Sequence, residues 1–169
     1  MKPMYFRSPL HCAELSKDGF LYVCDRGNNR IQVFKGSDVG KPCQNPNAEP
    51  GKCGFVGEIH IAPQTTGGTS GSLAFSTDPD QSCLYVADLT NFTIYEINRK
   101  TLQEIDRIST GGRGLGQFHW PHKVTADSEG NLYAGEVDGN PNVTKFLRYG
   151  ATSCGGTGVA EVGKYRQTQ

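Results

Sequence analysis

The amino-acid sequence predicts an all-β protein, and three observations carry that prediction. Of the 169 residues, 22 are Gly and 9 are Pro, which favour tight turns and interrupt helices. Apolar residues make up 36% of the chain and the mean hydropathy is −0.50, with no apolar run long enough to cross a bilayer. The third observation is a repeated segment of short alternating strands separated by turns rich in Gly, Asn and Asp.

The repeated segment occurs three times, each time with a Leu-Tyr pair at its centre. Its tyrosines are Tyr22, Tyr85 and Tyr133, at intervals of 63 and 48 residues. Units of about 40–50 residues with three or four strands are typical of β-propeller blades. We therefore expect an all-β propeller of four-stranded antiparallel blades, about three of them in one partial domain over 1–169. The expected blades are about 9–62 with an insertion at 36–53, about 69–110, and about 117–163.

Alternation and turn residues place the strands in order along each repeat. In the first repeat, Ile31 and Val33 alternate with polar residues, the pattern of a sheet covered on one face. The strands expected there are 12–15, 20–25 and 30–35, with His60 in an outer strand. Those of the second repeat are 73–76, 83–88, 93–98 and one around 102–109. Those of the third are 123–126, 131–136 and 143–148, with a last one near 159–162.

One charged pair is expected to stabilise the first repeat. Asp25 ends the second strand and Arg30 begins the third across a Gly-Asn-Asn turn, so a charge-assisted hydrogen bond would clamp the hairpin. We interpret this pair as structural. The second repeat keeps Asp88 but has Thr93 at the arginine position, so the clamp is expected to weaken there.

The chain has six cysteines, an even number that permits disulfides. No Cys-x-x-Cys pair occurs, so zinc-finger spacing is absent. Cys43 and Cys53 bracket a Pro-, Asn- and Gly-rich insertion with almost nothing apolar, and they are the best disulfide candidates. Such a bridge would contribute about 2–3 kcal/mol and would indicate an oxidising compartment. Cys24 and Cys83 are expected to be small buried strand residues. The N-terminus shows no signal peptide, so the expectation is either a cytosolic protein or a chain whose true beginning is missing. An extracellular or periplasmic location requires the second alternative.

The charge balance disfavours nucleic acid as a partner. The chain has 17 Lys and Arg and 17 Asp and Glu, so its formal net charge is zero, and no basic cluster occurs. Membrane insertion is likewise not expected. The partners left open are a protein, a peptide or a small molecule.

The run 22–34, Tyr-Val-Cys-Asp-Arg-Gly-Asn-Asn-Arg-Ile-Gln-Val-Phe, resembles the NHL repeat. The run 116–133 looks like the loop and inner strand of another such blade, and the resemblance extends over roughly 8–148. It implies part of a six-bladed NHL-type propeller, whose missing blades come from the rest of the chain or from a partner chain. The implied function is a ligand- or protein-binding module that uses the channel face and the inter-blade loops.

Residues at or just before each inner strand are the candidate site residues, because propellers commonly place ligand sites there. His119, Trp120, Ser70 and Ser72 are the candidates for ligand contact.

The chain is also similar to the peptidyl-hydroxyglycine α-amidating lyase-like propellers, which hold zinc through histidines of alternate blades. His11 and His122 occupy the same repeat position two blades apart. The similarity implies that they are zinc ligands of a metal-dependent lyase, with a third histidine and the catalytic residues supplied by further blades. This lyase is the alternative to the binding module. The sequence establishes no cofactor, and zinc is the one that this similarity suggests.

Overall fold

The computed structural model describes residues 4–42, 53–138, 142–148, 154 and 159–166, the last range as backbone only. Its contacts divide into two compact units, Met1–Ser70 and Gly71–Gln169. Within the described ranges, no helix is long and apolar enough to span a membrane. The predicted all-β fold is confirmed.

The first unit contains one four-stranded sheet in which each strand pairs with the next one along the chain. Its first turn is tight, because Phe20 N donates to Ser16 Oγ at 3.0 Å and Gly19 adopts φ +86°. The strands are β1 Cys12–Leu15, β2 Phe20–Asp25, β3 Arg30–Lys35 and β4 Phe55–His60. This meander is the topology of a propeller blade.

The second unit contains two further four-stranded sheets with the same sequential order and a short two-stranded pair between them. The strands of the second sheet are β5 Ser70–Phe75, β6 Cys83–Asp88, β7 Thr93–Asn98 and β8 Gln103–Ile108. The first residue of β5, Ser70, still belongs to the first unit. The short pair is β9 Thr110–Gly111 and β10 Gln117–Phe118. The third sheet is β11 Pro121–Ala126, β12 Leu132–Glu136, β13 Asn142–Arg148 and β14 Val159–Arg166.

The prediction that one face of β3 is open to solvent is wrong. Arg30 and Gln32 are as fully buried as Ile31 on the opposite face. Their polar atoms are tolerated there because Asp25 Oδ2 accepts hydrogen bonds from both, at 2.8 Å from Arg30 Nε and 3.1 Å from Gln32 Nε2. A polar residue at every second position therefore did not mark a solvated face.

Apolar packing in the first unit joins the middle and outer strands of its sheet. Val23, Phe34 and Phe55 form the buried cluster, and Met4 and Leu21 pack against it. The Phe34 and Phe55 rings meet edge to face with centroids 5.7 Å apart, a favoured aromatic geometry.

Apolar packing in the second unit joins the second and third sheets into one core. Phe118 and Phe146 meet edge to face at 5.4 Å, and Val124 lies beside them on β11. The other buried members are Cys83, Tyr85, Ala87, Ile94, Ile108, Leu132 and Ala134. Because one core includes residues from both sheets, the two sheets pack as neighbouring blades.

Two disulfides correct the expectation that Cys24 and Cys83 are merely small buried residues. Both are fully buried on strands, but Cys24 is bonded to Cys12 and Cys83 is bonded to Cys154. The first bond joins directly paired residues of β1 and β2. The second joins β6 to the segment between β13 and β14. These bonds are compatible with an oxidising compartment.

The predicted bridge across the insertion is not settled by the described residues. Cys53 is disulfide-bonded, whereas Cys43 lies outside the described residues. The pairing of Cys43 with Cys53 therefore stays a prediction.

Candidate functional site

The candidate site lies in the second unit, where the loop that enters β11 meets the turn that follows β12. Val137 N donates to Trp120 O at 3.2 Å, and His119 N donates to Glu136 Oε2 at 2.9 Å. Trp120 adopts φ +64°, a left-handed conformation that is uncommon for a bulky residue. The two bonds hold the loop in this conformation, with the Trp120 side chain 41% exposed.

Asp138 is the centre of a charged group on the turn after β12. His119 Nδ1 and a terminal nitrogen of Arg113 both contact Asp138 Oδ2, the arginine at 2.7 Å. Arg113 also lies 3.4 Å from His119 Nδ1, but that nitrogen cannot donate to Asp138 and accept from Arg113 at once. The closer, anionic partner decides the tautomer, so Nδ1–H donates to Asp138. The imidazole Nε2 is then left for a ligand.

An aromatic surface lies beside this charged group. The Phe92 ring stacks on the His119 imidazole with centroids 5.1 Å apart, and it lies 6.4 Å from the Trp120 ring. Phe92 comes from the turn between β6 and β7, so two blades of the second unit contribute. Leu115 and Val137, on the adjoining loops, are 79% and 54% exposed. The site thus combines apolar rings with a guanidinium and an imidazole, a set suited to stacking and polar contact.

The predicted ligand residues Ser70 and Ser72 lie on β5, and their hydroxyls contact other strands of the protein. Ser70 Oγ donates to Arg30 O at 3.0 Å, and Ser72 Oγ accepts from Val124 N at 2.9 Å. Their exposed fractions are 0% and 2%. Both hydroxyls are used in packing strands, so their contact with a ligand stays a prediction.

The predicted metal ligands His11 and His122 lie just before and just inside the inner strands of the first and third sheets. His11 precedes β1 and its N–H donates to Cys24 O at 3.1 Å, while His122 lies partly buried at a register shift in β11. Among the described residues, neither histidine belongs to a group of three potential metal ligands. Their zinc-binding role stays a prediction.

One group of three potential ligands is found in the described part of the chain, namely Cys83, Glu96 and Cys154, with ligand atoms within 4.8 Å. The two sulfur atoms are bonded to each other, so neither supplies the thiolate that a metal needs. Glu96 is paired with Arg148 at 3.2 Å, and both side chains are buried. The group therefore does not fit a metal site while the disulfide is intact.

Tyr85 belongs to the same buried network, and its hydroxyl accepts from Arg148. Burial raises the pKa of Tyr85 to about 12, and the negative charge of Glu96 adds to the increase while Arg148 opposes it. Tyr85 is therefore a neutral phenol at any physiological pH. The network stabilises the second unit rather than supplying an ionisable group.

The pair expected to clamp the first hairpin is the centre of a larger network. Arg30 Nε lies 2.8 Å from Asp25 Oδ2, and both side chains are fully buried. Arg30 also donates to Glu58 and to Tyr5 O, each at 2.6 Å. Asp25 accepts from Arg7 N at 3.0 Å. The network joins the N-terminal segment, β2, β3 and β4.

The first and third sheets repeat one hydrogen bond in front of their inner strands. In each, a backbone N–H two residues before a proline donates to the carboxylate that ends the second strand. Arg7 N donates to Asp25 in the first sheet, and His119 N donates to Glu136 in the third. Arg7 and His119 therefore occupy the same repeat position.

Sequence reasoning found His119 and Trp120 but missed Phe92, Arg113 and Asp138. The missed residues lie on three separate turns, and none belongs to a recognisable motif. Phe92 and Asp138 both lie on the turn between the second and third strands of their repeats. This shared repeat position could have indicated these two residues from the sequence.

The three four-stranded sheets with sequential strand order define the class of fold, a β-propeller. The comparisons with known proteins agree. Residues 11–34 match the family model of the NHL repeat. No curated protein matches the chain. Each solved structure below shares 21% identity or less with the chain, so the likeness shows the fold alone.

Three solved structures illustrate this likeness. Hydrazine synthase from Kuenenia stuttgartiensis is similar with a TM-score of 0.64 at 15% identity, over 98% of this chain and 38% of that one. A provisionally assigned 6-phosphogluconolactonase from Bacteroides uniformis gives 0.63 at 16%, over 98% and 46%. Its counterpart from Bacteroides fragilis gives 0.62 at 21%, over 98% and 45%. The chain thus spans less than half the length of each of these structures.

Proposed function

We propose that the chain is part of an NHL-type propeller that binds a protein or peptide ligand through the loops around Trp120. The observation that carries the proposal is the exposed Trp120 ring, which lies with the half-buried rings of Phe92 and His119. The Arg113–Asp138 ion pair lies beside these rings. Tryptophan and arginine dominate the binding energy of protein interfaces, and exposed aromatic groups with a polar rim are typical of such sites.

A peptide fits this surface better than a nucleic acid does. Arg113 is already paired with Asp138, so the site offers no uncompensated positive charge to a phosphate backbone. An apolar side chain can pack against Trp120, while His119 Nε2 accepts from a peptide N–H. The proposed contacts are therefore one apolar anchor and one polar contact next to it.

The test uses Trp120 as its own reporter, because it is the one tryptophan of the chain. Peptides enriched from a random library on the wild-type protein are titrated while the tryptophan emission is followed. Binding at the site shifts the emission, and Trp120→Ala weakens binding at least about tenfold, measured by calorimetry. Ile105→Ala is the matched control, because Ile105 is 42% exposed on another strand. Equal binding by wild type and Trp120→Ala, with unchanged emission, contradicts the proposal.

The proposed parent structure is a six-bladed propeller of which this chain is one partial domain. The three sheets and the short span of the chain relative to its structural neighbours support this. The remaining blades come from a longer chain or from a partner. Light scattering on the 18.3 kDa chain distinguishes a monomer from a pair that would complete six blades. An extracellular or periplasmic location is proposed with it, on the two disulfides.

A metal-dependent lyase is the second proposed function, and it depends on His11 and His122. Their places at the start of the inner strands of the first and third repeats support it. Metal analysis of the purified protein tests it, with His122→Ala expected to lose stoichiometric zinc. A metal-free protein whose properties are unchanged in both histidine variants ends this proposal.

A further inference from the structure

We infer that a polar cleft in the first unit binds a small organic anion that carries hydroxyl groups. The cleft has a volume of about 420 Å³, within the range of about 300–1,000 Å³ typical of small-molecule sites. It lies between three segments, 7–9, 27–29 and 63–68. This inference is independent of the proposed ligand site at Trp120, which lies in the other unit.

The walls of the cleft are held by specific contacts rather than by loose loops. Asn29 Nδ2 donates to Pro63 O at 3.2 Å and to Thr65 O at 2.8 Å, which fixes the wall formed by 63–68. Gly27 packs so closely that a Cβ atom there would lie 2.6 Å from Ser8 O. The cleft is therefore preorganised, which lowers the entropic cost of binding.

The charge of the cleft favours an anion. Arg7 is the one charged residue of its lining, and no carboxylate lines it. Among the described residues, none forms an ion pair or hydrogen bond with the Arg7 guanidinium. The nearest charged network has Arg30 against Asp25 and Glu58, and Arg26 lies on the adjoining turn. Arg7, Arg26 and Arg30 carry three positive charges, and Asp25 and Glu58 carry two negative charges. The surroundings of the cleft therefore have an excess of one positive charge.

The remaining lining chemistry favours hydroxyl groups on the ligand. Ser8, Thr65 and Thr66 contribute side-chain hydroxyls, each able to donate and to accept. Asn29 is nine-tenths buried, and its Oδ1 accepts no hydrogen bond in the described part of the chain. A buried acceptor without a donor is costly, and a ligand hydroxyl reaching this wall would satisfy it. An anionic polyol supplies both the charge and the donors.

The experiment uses three probes with one carbon skeleton: glycerate, glycerol 3-phosphate and glycerol. Each is titrated into the full chain labelled with ¹⁵N. The anions are expected to shift the amide signals of Asn29, Thr66 and Gly67 saturably, and glycerol is expected not to. Comparison of glycerate with glycerol 3-phosphate shows whether the site takes a carboxylate or a phosphate ester. Binding should weaken as salt is raised, because Arg7 is exposed and its charge is screened.

Two variants test the assignment of the charge. Arg7→Gln is expected to weaken anion binding about tenfold or more, since it removes a charge-assisted contact. Thr66→Glu, which places a negative charge in the lining, is expected to weaken it as well. Lys100→Gln is the control, because it removes the same charge from an exposed turn of the second unit. Amide spectra away from the cleft verify that each variant is folded.

Three results overturn the inference: no saturable shifts with either anion, equal shifts with glycerol, or unchanged affinity in Arg7→Gln. None of them affects the proposed function, whose readout is the emission of Trp120. Unchanged peptide binding in Trp120→Ala would contradict the proposed function but would not alter the anion-induced shifts at the cleft, so the two ideas fail separately.

Discussion

Replacing Arg30 by methionine tests the buried ion network of the first blade most directly. The arginine is fully buried and donates to Asp25 at 2.8 Å, to Glu58 at 2.6 Å and to Tyr5 O at 2.6 Å. Methionine keeps most of the apolar length of the side chain, so the change removes mainly the charge and its three contacts. Asp25 would then be a buried carboxylate without a cation.

The expected cost follows from that burial. Removing one partner of a buried ion pair costs about 3–5 kcal/mol, a large part of the about 5–15 kcal/mol by which a domain is stable. Arg107→Met is the matched control, because Arg107 pairs with Glu104 at 2.5 Å while the two side chains are 59% and 41% exposed. An exposed pair of this kind contributes at most about 1 kcal/mol.

Hydrogen exchange of segment 20–35, combined with urea denaturation, measures the effect in the first unit. Adding Asp25→Asn to Arg30→Met should recover part of the loss, because it removes the uncompensated charge. Stability would not recover in the double variant if lost packing, rather than the uncompensated charge, caused the loss in Arg30→Met. The reasoning is refuted if Arg30→Met costs no more than Arg107→Met, or if the double variant is as unstable as two independent losses predict.

Two further predictions concern the disulfides and one hairpin turn. The Cys83–Cys154 bond closes a loop of 71 residues and the Cys12–Cys24 bond a loop of only 12. By the loop-entropy model, C83A/C154A should lower the free energy of unfolding by about 4 kcal/mol and C12A/C24A by about 3 kcal/mol. Urea midpoints measure both, and a larger loss in the short-loop variant contradicts this ranking. Burial favours the neutral form of Asp127, but hydrogen bonds within its turn outweigh it and lower the pKa from 3.8. Asp127→Asn should therefore cost about 1 kcal/mol at neutral pH, and the difference should shrink as the pH falls below 3.8, with an unchanged difference in acid as the contradicting result.

Much of the fold could be predicted from the sequence because blade strands are short and local. The ranges 20–25, 30–35, 83–88 and 93–98 agree with the strands of the structure. Turn residues and alternation fix such strands within a few positions of the chain, without reference to distant residues. The inner strand β5 begins at Ser70 rather than at 73, because its first residues are Ser and Gly, which carry little strand signal.

The candidate site could be predicted only in part. His119 and Trp120 were indicated by their place before an inner strand, a position set by the repeat. Phe92 and Asp138 join them through packing between turns far apart in sequence, which no local pattern encodes. Ser70 and Ser72 occupied the indicated position as well, but the structure uses their hydroxyls within the protein.

The sequence by itself determined an all-β chain of repeated hairpins, the order of its strands, and the Asp25–Arg30 ion pair across one turn. Only the tertiary structure decided which cysteines pair, that Arg30 and Gln32 are buried, and that Arg7 lines a polar cleft. The physical reason is range. Turn chemistry and strand alternation act between neighbours in sequence, whereas burial, disulfide pairing and site geometry depend on segments that meet only when the sheets pack.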